Sequence, residues 1–391
     1  VIAKTIFAAY FSMAEKRITY WIIVLLFPTL SCTFAAAQII EKGAGIGIET
    51  NLIAGKIFKH TQNFKAPIPA ITSGAELNLV WQTQGKETWQ QRRNYPQVGL
   101  GILCVNFGNN SIYGNAIGIY PNLQLPLIRK EKWEWVCRIG FGFSYITKRY
   151  ETAPSWDTLN NAIGSHINNL TLFNTHIRYR INRHWDIQAG AAFFHMSNAS
   201  LRLPNLGINT IGAQIGIRYF PVASQPAKIK RALPVLKNRW LLQFRAGIAA
   251  MEFMANDGPL YPVYTGSLYA SKRYAGKNKV FIGLDASYHT NIYSFEVNNE
   301  INPGHEKAHA WKSSVFIGNE FLVGRFGLML QAGVYIKEAA LKLDPYYFKI
   351  GTNIYIIQKE EGLLKELCYA ALLKSHQFQA EYVEMGLGFG F

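Results

Sequence analysis

His195 and Ser197 stand two residues apart in the stretch Phe193-Phe194-His195-Met196-Ser197-Asn198-Ala199. On an extended strand, residues i and i+2 share a face with their Cα atoms about 6.6 Å apart, so an imidazole can reach a hydroxyl. A serine hydroxyl is a weak nucleophile near neutral pH and needs an adjacent base. Imidazole is the usual base because its pKa lies near the working pH, and a third group must orient it. The chemistry open to this pair is ester or acyl hydrolysis through a covalent serine intermediate. The pair alone reads more readily as an ordinary polar strand end at the rim of a barrel.

The residues that follow add spacing. After Asn198-Ala199 come four residues, then Pro204-Asn205, one residue, Gly207, one residue and Asn209. This pattern resembles the signature of the lipid A 3-O-deacylases (PagL-like), serine esterases embedded in the outer membrane. The resemblance implies His195 as general base, Ser197 as nucleophile, Asn205 at the oxyanion site and residue 209 as the group that orients the base. It also implies lipid A or lipopolysaccharide of the outer leaflet as partner. The family carries an acid where this chain has Asn209. An amide oxygen accepts the imidazole N–H and fixes its tautomer, but it brings no charge to steady an imidazolium. Two readings follow: an active esterase, or a catalytically silent barrel serving as a pore or envelope-interaction protein. The compact match covers residues 195–209 and extends loosely, by strand count, across 43–220.

Strands must position these residues, and strict alternation dominates the chain. Trp133, Trp135, Cys137, Ile139, Phe141, Phe143 and Tyr145 alternate with Glu134, Val136, Arg138, Gly140, Gly142, Ser144 and Ile146. A strand sends these two sets to opposite faces. In an outer-membrane barrel the apolar face meets lipid and the polar and glycine face lines the lumen. The same alternation runs through 211–219, 280–289, 326–337 and 383–391. Trp185, Ile187, Ala189, Ala191, Phe193, His195 and Ser197 share one register, which places the candidate pair on the lipid side. Asn209 falls on that side of the next strand. His176, Arg178 and Arg180 fall in the lumen register, Glu381 and Glu384 read as lumen or rim residues, and His376 as polar lining. Gly99 and Gly101 are lumen glycines rather than a phosphate loop.

Composition agrees. Hydrophobic residues make up 49% and aromatic residues 14% of the chain, against only 16% charged, well below the ~25% of soluble domains. Met13, Lys16-Arg17, an apolar run over 18–27 and Ala35-Ala36-Ala37 form a basic, apolar and small-residue series that predicts a signal peptide over 1–37. The alternative is an uncleaved anchor. No later segment has ~18 unbroken apolar residues. Three cysteines (Cys104, Cys137, Cys368) follow residue 37, which gives no disulfide framework and no metal-ligand spacing. No cofactor is expected. The net charge of +16 suits an anionic partner; after a signal peptide that is lipopolysaccharide phosphate and no nucleic acid.

The expected fold is all-β: a transmembrane antiparallel barrel in the cell outer membrane, with about eight strands over 43–220 and seven or eight over 239–391. One continuous barrel of about 14–16 strands is the first expectation, with two eight-stranded barrels as the alternative. The segments are a signal peptide (1–37), a deacylase-like half (38–220), a proline-rich and basic linker or turn (221–238) and a second half (239–391). The C-terminal Phe391 resembles the signal read by the outer-membrane assembly machinery. The turn near 85–94 is longer than its expected periplasmic place requires.

Overall fold

The computed structural model describes residues 44–391 apart from 153–156, 235–236, 238, 255, 339–343 and 377–378. The expected signal peptide lies outside the described residues. Eight strands run through the first half: β1 (Ile46–Ile57), β2 (Thr72–Gln82), β3 (Gln97–Asn106), β4 (Asn115–Arg129), β5 (Trp133–Ile146), β6 (Ile167–Arg180), β7 (Trp185–Ser197) and β8 (Ile208–Tyr219). Eight more follow: β9 (Trp240–Glu252), β10 (Leu260–Tyr274), β11 (Asn278–His289), β12 (Trp311–Val323), β13 (Phe326–Glu338), β14 (Tyr346–Gln358), β15 (Glu366–His376) and β16 (Gln379–Gly390). Among the described residues three short helices lie between strands: α1 (Thr88–Arg92), α2 (Thr290–Asn298) and α3 (Glu306–His309).

The strands form two closed eight-stranded antiparallel barrels. β1 pairs with β8 from Ile48 opposite Tyr219 to Ile57 opposite Thr210. β16 pairs with β9 from Met385 opposite Ile248 to Gly390 opposite Gln243. These two closures rule out the single continuous barrel and leave the two-barrel alternative. One large barrel or two small ones would leave no strand edge unpaired in lipid; two small ones let each half fill its own lumen with side chains that pair within that half. Eight strands close around a lumen just wide enough for side chains to fill.

The first lumen is filled by charges that neutralise one another within that half. Arg138 donates from both terminal nitrogens to the two oxygens of Glu76, each at 2.6 Å. Arg178 donates to Glu49 Oε1 at 2.7 Å, while Asn78 and Gln124 donate to Glu49 Oε2 at 2.9 and 2.8 Å. The second lumen has its own set: Lys279 bonds Glu366 at 2.7 Å, and Lys349 lies 2.9 Å from both Asp285 and Glu384. Outward faces are apolar, with Leu52 63% and Ile215 62% exposed.

The first barrel has a short-turn end and a long-loop end. Its long connections are 58–71, 107–114, 147–166 and 198–207. The exception at the short-turn end is 83–96, and the second barrel explains its length. Arg93, just after α1, donates to Lys277 O at 2.6 Å, Leu322 O at 3.1 Å and Asn278 Oδ1 at 3.0 Å. Arg92 donates to Pro234 O at 2.6 Å. That connection is a tether between the barrels.

Candidate active site

β7 and β8 are antiparallel neighbours, and their register sets His195 directly opposite Asn209. His195 Nδ1 lies 2.6 Å from Asn209 Oδ1, and His195 Nε2 lies 2.8 Å from Ser197 Oγ. The three side chains form one hydrogen-bonded line. They sit at the long-loop end of the wall whose lower residues, Trp185, Ile187, Ala189 and Ala191, are all exposed. The site therefore lies in the outward register of the wall and not in that of the lumen. Ser197 itself is 3% exposed.

Gly207 packs against the imidazole. Its φ is +78°, and a Cβ there would stand 2.6 Å from His195 Cε1. Only glycine combines that backbone with that clearance. Asn205 is buried too. Its Oδ1 accepts from the Asn198 backbone N–H at 2.9 Å, so the amide is anchored one residue from Ser197. Its Nδ2 has no hydrogen-bond partner among the described residues. A buried donor without an acceptor is costly, and an anionic oxygen at this point would satisfy it. The same bond uses up the Asn198 N–H, the first amide after Ser197, which is thus no oxyanion donor here.

Residues 73–218 match the family model of lipid A 3-O-deacylase (PagL), and residues 238–391 match that of the acyloxyacyl hydrolase C-terminal domain. The first barrel belongs to the lipid A 3-O-deacylase family. No curated protein matches the sequence. Among solved structures, the outer membrane enzyme PagL aligns at 14% identity over 43% of this chain and 97% of its own, with a TM-score of 0.31. Neisserial surface protein A aligns at 8% identity over 45% and 97%, also with a TM-score of 0.31. A BenF-like porin from Pseudomonas fluorescens Pf-5 aligns at 12% identity over 89% and 98%, with a TM-score of 0.22. With the family and the two closed barrels established, the chain is an outer-membrane β-barrel protein.

The deacylase barrel holds a residue that the sequence reading missed. His60, in the loop after β1, has its Nδ1 2.8 Å from Asn209 Nδ2. β1 is the strand that closes on β8, and Phe58 N bonds Asn209 O at 2.7 Å. A histidine just past the end of the first strand is a signal only once that closure is known.

Other expectations divide. His176 and Arg178 are buried in the first lumen, whereas Arg180 is exposed at the end of its strand. Glu381 and Glu384 are both buried, and a register shift at Lys374/Ser375 marks the paired strand nearby. His376 Nε2 lies 2.9 Å from Tyr335 Oη. The second barrel also holds a serine beside a histidine: Ser287 Oγ is 3.0 Å from His289 Nε2. Both are buried in the lumen register, and Glu381, 3.9 Å from His289 Nδ1, lies 3.1 Å from Lys374 and 3.7 Å from Lys312. That pair belongs to the lumen's ionic network.

Proposed function

We propose that this protein is a serine esterase that hydrolyses the 3-O-linked acyl ester of lipid A in the outer leaflet. The observation that carries the reading is the hydrogen-bonded line Ser197–His195–Asn209 on the outer wall of a deacylase-family barrel. Ser197 Oγ attacks the acyl carbonyl carbon while His195 Nε2 takes its proton. Asn205 Nδ2 donates to the resulting oxyanion, in the manner of preorganised oxyanion stabilisation. Collapse of the tetrahedral centre expels the sugar oxygen, which takes the proton from His195 and leaves as a free hydroxyl. Water, deprotonated by His195, then releases the fatty acid from Ser197.

Asn209 Oδ1 accepts from His195 Nδ1–H throughout and so keeps the Nε2 lone pair toward the serine. As a neutral amide it gives the transient imidazolium only a dipole. The same residue motivates the second reading, a silent barrel that retains the shape of the site. The net charge of +16 favours approach to anionic lipopolysaccharide. The long-loop end faces outward in this account, and the chain reaches the membrane through a signal peptide cleaved after Ala37 and the barrel assembly machinery. Incubating the purified protein with lipopolysaccharide and measuring released hydroxy fatty acid tests the reading. The folded protein should release it, and Ser197→Ala and His195→Ala should not, while all three keep heat-modifiable gel mobility. Release by both variants at the unmodified rate would sink it.

A further inference from the structure

Glu252 ends β9 in the second barrel, yet its partners are in the first barrel's 198–207 loop. Its Oε2 accepts from Leu203 N at 2.6 Å, its Oε1 accepts from Arg202 Nη1, and its own N–H donates to Ser200 O at 2.9 Å. Ser200 Oγ adds a bond to Ala380 O at 2.7 Å, again across to the second barrel. The Glu252 side chain is fully sealed from solvent, and a buried carboxylate is tolerated only with such partners.

These contacts fall on the segment that joins the candidate nucleophile to the candidate oxyanion donor. Asn198 carries them inward. Its Oδ1 accepts from Arg202 N at 3.3 Å and its Nδ2 donates to Arg202 O at 2.9 Å, while its backbone N–H holds Asn205. Ala199 and Ser200 sit at φ 55° and 63°, a region that non-glycine residues occupy only when the surroundings impose it. On the opposite side the fit is close: a Cβ on Gly164 would stand 2.6 Å from Leu203 O.

We propose that the second barrel is a working part of the first barrel's active site, with Glu252 as the positioning residue that fixes the 198–205 segment and so aims Asn205 Nδ2. This rests on the esterase reading above. A simple tether would serve as well anywhere, and one already exists at the short-turn end through Arg93. A tether and a positioning contact predict different kinetics. A donor displaced by about 1 Å costs on the order of 100-fold in turnover, whereas a tether leaves turnover unchanged.

The test is steady-state hydrolysis of lipopolysaccharide by the full-length protein and three variants. Glu252→Ala should lower kcat about 100-fold with KM within about twofold, the pattern of a lost transition-state interaction. Glu252→Gln keeps an acceptor for Leu203 N–H and should recover about tenfold of that loss. Arg93→Ala should turn over at the unmodified rate. Heat-modifiable mobility shows that each variant is folded, and protection of the Leu203 amide from hydrogen exchange should fall in Glu252→Ala alone. Unchanged kcat in Glu252→Ala, or an equal loss in Arg93→Ala, overturns the proposal while leaving the esterase reading intact. If the unmodified protein shows no Ser197-dependent turnover, both fall together.

Discussion

Asn209 Oδ1 stands 2.6 Å from His195 Nδ1, directly across the β7–β8 ladder. The same amide presents its Nδ2 to His60 Nδ1 at 2.8 Å. A neutral His60 accepting at Nδ1 leaves the amide one useful orientation, with its oxygen toward His195. The imidazole must then carry its proton on Nδ1 and offer Nε2 to Ser197. An amide can do the orienting work of a carboxylate if a second residue stops it from flipping.

Asn209→Asp is nearly the same size and adds a charge. A carboxylate this close raises the imidazole pKa by about 1–3 units, which steadies the imidazolium formed as Ser197 gives up its proton. The maximal turnover should rise at least about tenfold. The base works only when neutral, so the acid limb of kcat/KM should move to higher pH. Asn209→Ala should lower the rate. A pH–rate profile of the three proteins reads all of this, and no change in any of them would remove residue 209 from the site.

His60→Ala should cost about tenfold or more in turnover by freeing the amide to flip. In an Asn209→Asp background the same substitution should cost almost nothing, because a carboxylate has no wrong way round. A double-mutant cycle isolates this coupling, and simple additivity contradicts it. Burial holds the His60 imidazole below its ordinary range. The fold thus favours its neutral form, and the sign follows. Stability is retained at higher pH and declines as pH falls below about 6.5, where the unfolded chain binds the proton more readily, while the Asn209 orientation persists to lower pH, until His60 takes up its proton in the folded protein.

Gly207→Ala places a methyl group 2.6 Å from His195 Cε1 on a backbone with φ +78°. The ring must shift from its position between Ser197 and Asn209, so turnover should fall about 100-fold. Stability should fall by about 1–2 kcal/mol, through a left-handed backbone unsuited to alanine. Urea titration of the detergent-solubilised protein alongside kinetics separates the two losses.

The lumen pair offers a test away from the site. Removing one partner of Arg138–Glu76 leaves a buried charge, so Arg138→Met or Glu76→Gln alone should destabilise the barrel by about 3–5 kcal/mol. The two together should cost less than their sum. Equal and additive losses would mean that the pair does not act as a unit.

Much of this was legible from period-two alternation. It placed His195, Ser197 and Asn209 on one face of neighbouring strands, and it placed His176 and Arg178 in the lumen. Alternation reads the same in one large barrel as in two small ones, so it could not choose between them. The choice lay in which strands close; the proline-rich segment 221–238 marked the boundary between the halves, and the structure shows Glu49 and Glu76 finding Arg178 and Arg138 within their own half. His60 and Glu252 were illegible for the same reason. One reaches the site through the β1–β8 closure and the other across the boundary between barrels. The long 83–96 connection looked misplaced because its purpose, the Arg93 tether, lies in the other half.

Lipid A mass spectrometry in an outer membrane that contains this protein tests the central claim most directly. Cells expressing the unmodified chain should show lipid A lighter by one hydroxyacyl group. Cells expressing Ser197→Ala at the same folded level should show the full mass. Full-mass lipid A in both, or the lighter species in both, would contradict the assignment of Ser197 as the nucleophile of a lipid A deacylase.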